Sequence, residues 1–212
     1  MRCLACRART RIGPCSGSPG NRAGAAGEID VSRQRIIGFC GSSWRPARSR
    51  ALVEAVGADL RERHAITTEI LDLVDAGPGL AAFSRDGLGE SARGVIEAIE
   101  GADGLVIGCP VFQGSYPGLF KHVFDLIEPG ALKNRPVLLT ALGGGLRHSL
   151  VVEHQLRPLF GFFEACTVST AIYASAAELE AGQPLPPIIA ARLANAVDQF
   201  AGHLKARCAD AA

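Results

Sequence analysis

The sequence predicts an α/β domain built on a doubly wound, five-stranded parallel sheet with helices on both faces. Three observations predict it. Short apolar runs of strand length alternate with helical patterns from Arg35 almost to the C-terminus, the order that gives a parallel sheet covered on both sides. Glycine- or serine-rich loops follow the first, third and fourth of those runs, where such sheets bind their ligands. The length of 212 residues suffices for one complete core and would leave two cramped.

Arg35–Cys40 (RIIGFC) reads as the first buried strand. Ser49–His64 follows as a helix, with Leu52, Val53, Val56 and Leu60 recurring on one face. Glu69–Val74 is the second strand, Ala76–Gly89 a glycine-rich loop and Ser91–Glu100 a helix. Gly104–Cys109 (GLVIGC) is the third strand, and Pro117–Ile127 a helix opening on a proline where the first turn allows one. Pro136–Leu142 is the fourth strand. His148–Phe163 is helical, with Pro158 expected to kink or break it. Thr167–Ala174 is the fifth strand, and Pro187–Arg207 closes the fold as a helix. These elements form one domain over residues 34–208.

Residues 1–33 differ in kind. They carry Arg2, Arg7, Arg9, Arg11 and Arg22 with no acid before Glu28, are rich in Gly, Ala, Ser and Pro, and show no apolar periodicity. They read as a disordered basic extension without the apolar segment of a secretory signal. Cys3, Cys6 and Cys15 lack a nearby fourth ligand and read as unpaired thiols, with no metal site expected. Cys40, Cys109 and Cys166 lie in or beside apolar runs, as small buried hydrophobes of a reducing, cytoplasmic compartment do. A formal net charge of +1 gives no field for nucleic acid or an anionic membrane surface. No apolar stretch approaches membrane-spanning length.

Three loops carry the chemistry. Gly41–Arg50 follows a strand and opens a helix, so its main-chain N–H groups meet the positive end of the helix dipole, where a phosphate is welcome. Ser42, Ser43 and Ser49 add hydroxyls, and Arg48 or Arg50 adds charge and a planar fork. Neither a Walker loop nor a dinucleotide fingerprint is present, so a monophosphate fits better. In the second loop, Pro110–Gly118, Pro110 and Gly114 allow a tight path with free backbone N–H groups, and Phe112 and Tyr116 offer flat surfaces. The third, Thr140–His148, carries Gly143, Gly144 and Gly145 in succession: either a flexible turn or a backbone that something approaches closely. His148 faces either a ligand or water. Together the loops suit a mononucleotide with a large planar ring.

The residues Gly41-Ser42, Arg48-Ser49, Pro110-Val111-Phe112, Ser115-Tyr116-Pro117-Gly118 and the Gly143–Gly145 loop with His148 resemble the NAD(P)H-dependent FMN reductases. The likeness is greatest to the reductase components of two-component alkanesulfonate and methanesulfonate monooxygenases, and Arg147–Phe163 is its most specific part. The resemblance covers about Arg35 to Ala174. It implies a flavodoxin-like fold, homodimers or homotetramers, and FMN on the carboxyl edge of the sheet. Carried over by position, Ser42, Arg48, Ser49 and Arg50 lie around the FMN phosphate. Pro110, Val111, Phe112 and Ser115 lie along the ring and ribityl chain, and Gly143, Gly144 and His148 near the other ring edge. Phe112 stands where many relatives have Tyr. His154 falls where some relatives insert a residue into the helix at the subunit interface, an insertion that often makes a π-turn.

The implied reaction passes hydride from NAD(P)H to FMN, and reduced FMN then serves a partner monooxygenase. The cofactor carries that chemistry, so no catalytic acid or base is required of the chain. A same-fold reductase that retains FMN and reduces quinones, azo dyes or chromate is the first alternative. A flavodoxin-type electron carrier is the second, against which the charge of +1 speaks. A non-enzymatic interaction module is the third.

Overall fold

A computed structural model describes residues 34–179 and 183–211. The expected extension over residues 1–33, with Cys3, Cys6 and Cys15, lies outside the described residues.

The apolar runs form the strands because each is buried on both faces. β1 (Ile36–Cys40) and β3 (Gly104–Pro110) are buried at every position, and β4 (Pro136–Gly143) at all but one. β2 (Thr68–Asp72) pairs with the other side of β1, giving the parallel order β2-β1-β3-β4. This is a flavodoxin-like order, whose switch point lies between β1 and β3. Cys40 stands beside both Asp72 and Gly108, and Gly108 beside Thr140, so all four strands present their carboxyl ends at one edge.

Period-two alternation sends side chains to two cores. Ile37, Phe39, Leu105 and Ile107 pack beneath α3 (Glu90–Glu100) and α4 (Gly118–Asp125), around Ile96, Phe120 and Phe124. Ile36, Cys40, Val106 and Leu138 pack beneath α1 (Arg48–His64) and α6 (Pro187–Ala211), around Val53, Leu60 and Phe200. Gly108 lies directly under α1, where a Cβ would collide with Val53 and stand 3.2 Å from the Ser49 carbonyl. Its missing side chain lets the first turn of α1 settle onto the sheet between β1 and β3.

The structure corrects the expected elements in three places. The fifth strand is two strands, making six: β5 (Cys166–Thr167) and β6 (Ile172–Ser175) both pair with β4. The register jumps between them, from Val137 beside Thr167 to Thr140 beside Ile172, so the intervening residues bulge. The bulge is fastened from outside, Thr170 N–H donating to Gln199 Oε1 at 3.0 Å and Arg157 Nη1 to the Val168 carbonyl at 3.0 Å. The second strand stops at Asp72, whose carboxylate caps the short helix α2 (Leu73–Ala76) in a capping box with Asp75. The single helix expected over His148–Phe163 is a 3₁₀ turn (Leu146–His148), a π-turn (Val152–Leu156) and α5 (Arg157–Phe162). Pro158 sits in the first turn of α5, where its missing N–H is tolerated, and Arg157 N–H reaches back to the Val152 carbonyl. The π-turn contains His154. Among the described residues no helix is long and apolar enough to cross a membrane.

Candidate functional site

The carboxyl edge of β1, β3 and β4 opens into a cleft of about 300 Å³. Trp44, Pro46, Ala47, Arg48 and Ser49 form one wall, Pro110, Val111 and Phe112 a second, and Leu142, Gly143, Gly144 and Ala176 a third.

The first wall is the start of α1. No side chain caps this helix, and its first turn holds no acid. The first N–H groups of a helix have no intrahelical acceptor, and here they meet the cleft beside the Arg48 guanidinium. Arg48 Nη1 donates to the Ala176 carbonyl at 2.9 Å, which holds the cation across the cleft mouth, its other N–H groups without a partner among the described residues. Ser49 is buried and accepts from Cys40 Sγ at 3.3 Å.

The second wall is a hairpin turn. Phe112 and Ser115 exchange backbone hydrogen bonds of 2.8 and 3.0 Å across Gln113 (φ 49°) and Gly114 (φ 87°). Two successive positive φ values make the tight turn that glycine favours. The expectation of free N–H groups here fails for Val111, Phe112 and Ser115, all of which donate within the chain. Phe112 is exposed, and Trp44 stacks on it with ring centroids 5.4 Å apart and planes 10° from parallel. The two rings therefore roof the cleft with flat apolar surface.

The third wall is bare backbone. A Cβ on Gly143 would collide with the Tyr173 hydroxyl, so this glycine is required by packing. That hydroxyl donates to the Gly145 carbonyl at 2.5 Å, and burial raises the Tyr173 pKa. Gly144 and Gly145 have open space where a Cβ would be, and among the described residues neither N–H has a backbone acceptor. The chain itself does not need glycine at these two positions, whereas close approach of a ligand would.

The structure thus gathers Arg48, Ser49, Pro110, Val111, Phe112, Gly143 and Gly144 around one cleft. The other four candidates stand apart from it. Ser42 is fully buried, its hydroxyl donating to the Trp44 carbonyl at 3.0 Å. Arg50 turns to β2, with Nη1 on Asp72 Oδ2 at 2.7 Å and Nε on Glu54 at 2.9 Å. Ser115 faces a neighbouring recess on the far side of Phe112 and donates to Gln155 Oε1 at 3.1 Å. His148 packs beside Gly143, and its Nε2 accepts from Arg147 Nε at 3.1 Å.

Sequence reasoning missed Trp44, Leu142 and Ala176 as wall residues, Tyr173 packed behind Gly143, and Asp72 altogether. Ala176 and Tyr173 carry no local signal, since only the pairing of β6 with β4 brings them to the cleft. Asp72 did carry one: an acid at the end of a strand with a second acid, Asp75, three residues later is a helix-cap pattern. Burial alone would raise the Asp72 pKa, but hydrogen bonds from Arg45 and Arg50 hold it below the usual carboxyl range.

The cleft fits a phosphorylated ligand with a flat ring: an uncapped helix start and Arg48 for the anion, aromatic surface and unhindered backbone for the ring. Comparison with known proteins agrees. The sequence profile of the family described as NADPH-dependent FMN reductase matches residues 34–179. The NADH-dependent FMN reductase SfnF of Pseudomonas fluorescens (strain Pf0-1) is 42% identical over 176 residues, 81% of this chain and 94% of that protein. An FMN reductase (NADPH) of Pseudomonas aeruginosa is 40% identical over 168 residues, 79% of this chain and 90% of that protein. Among solved structures, the apo form of an NADH:FMN oxidoreductase (EMOB) superposes with a TM-score of 0.72 at 25% identity, covering 79% of this chain and 88% of the other.

Proposed function

The chain belongs to the NADPH-dependent FMN reductase family, and on that premise we propose that the cleft holds FMN and that the enzyme releases it, once reduced, to a flavin-dependent monooxygenase. The chain is an NAD(P)H-dependent FMN reductase, an oxidoreductase. One observation carries the placement of the ligand: the acid-free, uncapped start of α1, with Arg48 beside it, opens into the same cleft as Phe112 and the bare Gly144.

FMN, when bound, supplies the hydride acceptor, so the chain need provide no nucleophile or general base. Its own tasks are to bind, orient and stabilise charge. The N–H groups of the first turn of α1, with Arg48, hold the phosphate. Ser49 borders that anchor. Pro110 and Val111 lie along the ligand's length, and Phe112 offers the ring a flat face. The unpaired N–H groups of Gly144 and Gly145 are donors for negative charge developing at a ring edge. Ser42 and Arg50 support the phosphate wall from behind, and Ser115 and His148 support the two ring walls.

One FMN-binding domain spans residues 34–208. Exposed Leu146, Leu150 and Phe162 support a homodimer or homotetramer, since apolar side chains clustered near one segment mark an association surface. Among the described residues Cys40, Cys109, Cys166 and Cys208 form no disulfide, which supports a reducing, cytoplasmic setting.

The release step is tested by enclosing ferricytochrome c in a dialysis membrane, with reductase, NAD(P)H and FMN outside it, without oxygen. Reduction of the enclosed cytochrome only when FMN is added shows that reduced flavin leaves the enzyme. No reduction of the enclosed cytochrome on adding FMN, together with NAD(P)H oxidation sustained by a soluble quinone in a separate assay without cytochrome, makes the protein a reductase that retains its FMN.

A further inference from the structure

We propose that Asp72 is a positioning residue: through Arg45 and Arg50 it holds the loop between β1 and α1 in the shape that forms the phosphate wall and seats Trp44 on Phe112. The proposal rests on the FMN-reductase reading and adds to it the device that builds the site.

Asp72 ends β2 beside Cys40, the last residue of β1, so its carboxylate sits at the ligand edge of the sheet. The side chain is wholly buried. Its Oδ2 accepts from Arg45 Nε at 2.7 Å and Arg50 Nη1 at 2.7 Å. Its Oδ1 accepts from Arg45 Nη2 at 2.8 Å and Val74 N–H at 2.9 Å. Arg45 therefore grips it with both prongs of the fork, the geometry that fixes orientation as well as distance. The same turn adds a main-chain tether, Leu73 N–H to the Ser42 carbonyl at 3.2 Å.

The two arginines grip the α1 side of the loop, and the Leu73–Ser42 bond tethers its β1 side. Arg45 lies between Trp44 and Pro46, which line the cleft, and Arg50 lies in the first turn of α1, just beyond Arg48 and Ser49. The loop's own hydroxyl bond, Ser42 to the Trp44 carbonyl, is internal and ties it to nothing outside. Neighbouring charges are accounted for within the cluster. Arg45 also reaches Asp75 Oδ2 at 2.5 Å, and Arg50 reaches Glu54 at 2.9 Å. Arg48, whose one hydrogen bond among the described residues is to a carbonyl, is left as the cation facing the cleft. A buried carboxylate adds little net stability compared with apolar packing. Its use here is to place the loop.

Trp44 is the sole tryptophan of the 212 residues and reports the loop's position without reference to activity. Arg45→Gln and Asp72→Asn are compared with wild type by tryptophan emission, acrylamide quenching, far-ultraviolet circular dichroism and FMN titration. Both variants should keep the wild-type far-ultraviolet spectrum. Their emission should move to the red, with easier quenching, as Trp44 leaves Phe112. FMN Kd should rise about tenfold if the competent loop conformation falls to roughly a tenth of the population. Arg35→Gln breaks the exposed Arg35–Glu69 pair near the opposite end of β2 and should change none of these readings. Unchanged emission and an unchanged Kd in Arg45→Gln would overturn the proposal, even if Asp72→Asn does not fold. Failure of the wild-type protein to bind FMN would instead overturn the functional reading, and the emission comparison would still judge the clamp.

Discussion

Gly143→Ala tests whether the third wall of the cleft is shaped by packing. The new Cβ would collide with the Tyr173 hydroxyl and lie 3.2 Å from both Tyr173 Cζ and His148 Cβ. The Tyr173 ring must withdraw, which breaks its 2.5 Å bond to the Gly145 carbonyl. Losing that bond costs about 1 kcal/mol, and crowding a packed site costs a further 1–3 kcal/mol or so. The Tm should fall by roughly 5–15 °C, given about 2–4 °C per kcal/mol in a domain of this size. FMN Kd should rise as the loop moves. Tyr173→Phe in the same background removes the colliding oxygen and keeps the ring, so the double variant should be more stable than Gly143→Ala alone. At Gly144 nothing lies within 4 Å of a Cβ, so Gly144→Ala should stay within about 0.5 kcal/mol of wild type while weakening FMN binding. Thermal unfolding of the three variants and wild type, with an FMN titration of each, checks all of this. A Gly143→Ala protein as stable as wild type, or one that Tyr173→Phe fails to rescue, would refute the reasoning.

Arg48→Gln should raise FMN Kd about tenfold to a hundredfold, the worth of a hydrogen bond to a charged group. It should leave riboflavin binding unchanged, because riboflavin has no phosphate; parallel fluorescence titrations with the two flavins decide. Asp72 is held below an ordinary carboxyl's 3.8, so its contribution to stability is complete above that value and is lost as pH falls through the lower, folded value. Denaturant unfolding followed downward from neutral pH should show an acid-side loss of stability that is shallower in Asp72→Asn; parallel curves would count against the ion cluster. Burial pushes the thiols of Cys40 and Cys109 up, whereas Cys166, expected from the sequence to be buried, is exposed. Brief alkylation of the native protein followed by peptide mass mapping should label Cys166 and spare Cys40 and Cys109 until the chain is unfolded.

The central strands were readable because runs such as Ile36–Cys40 and Gly104–Pro110 are buried on both faces, and their pattern needs no partner to be recognised. The edge was harder. The bulge between β5 and β6 depends on Gln199 and Arg157, which approach only when the chain is folded. The cleft was legible as three loops, since a strand, a loop and a helix start in succession imply an anion site by local geometry alone. The division of labour among the arginines was not. Arg48 and Arg50 look equivalent in sequence, yet Asp72, far along the chain, draws Arg50 away and leaves Arg48 at the cleft. The π-turn was hidden inside an ordinary helical pattern. Its position was marked only by likeness to relatives at His154, and Val152–Leu156 adopts it.

The central claim is that this cleft binds FMN for reduction by NAD(P)H. The most direct measurement titrates the purified protein with FMN by flavin-fluorescence quenching and follows NADH and NADPH oxidation with FMN in excess. Saturable quenching, with nicotinamide oxidation that depends on added FMN and weakens in Arg48→Gln, is the expected result. Absence of flavin binding, or oxidation indifferent to FMN and to Arg48, would contradict it.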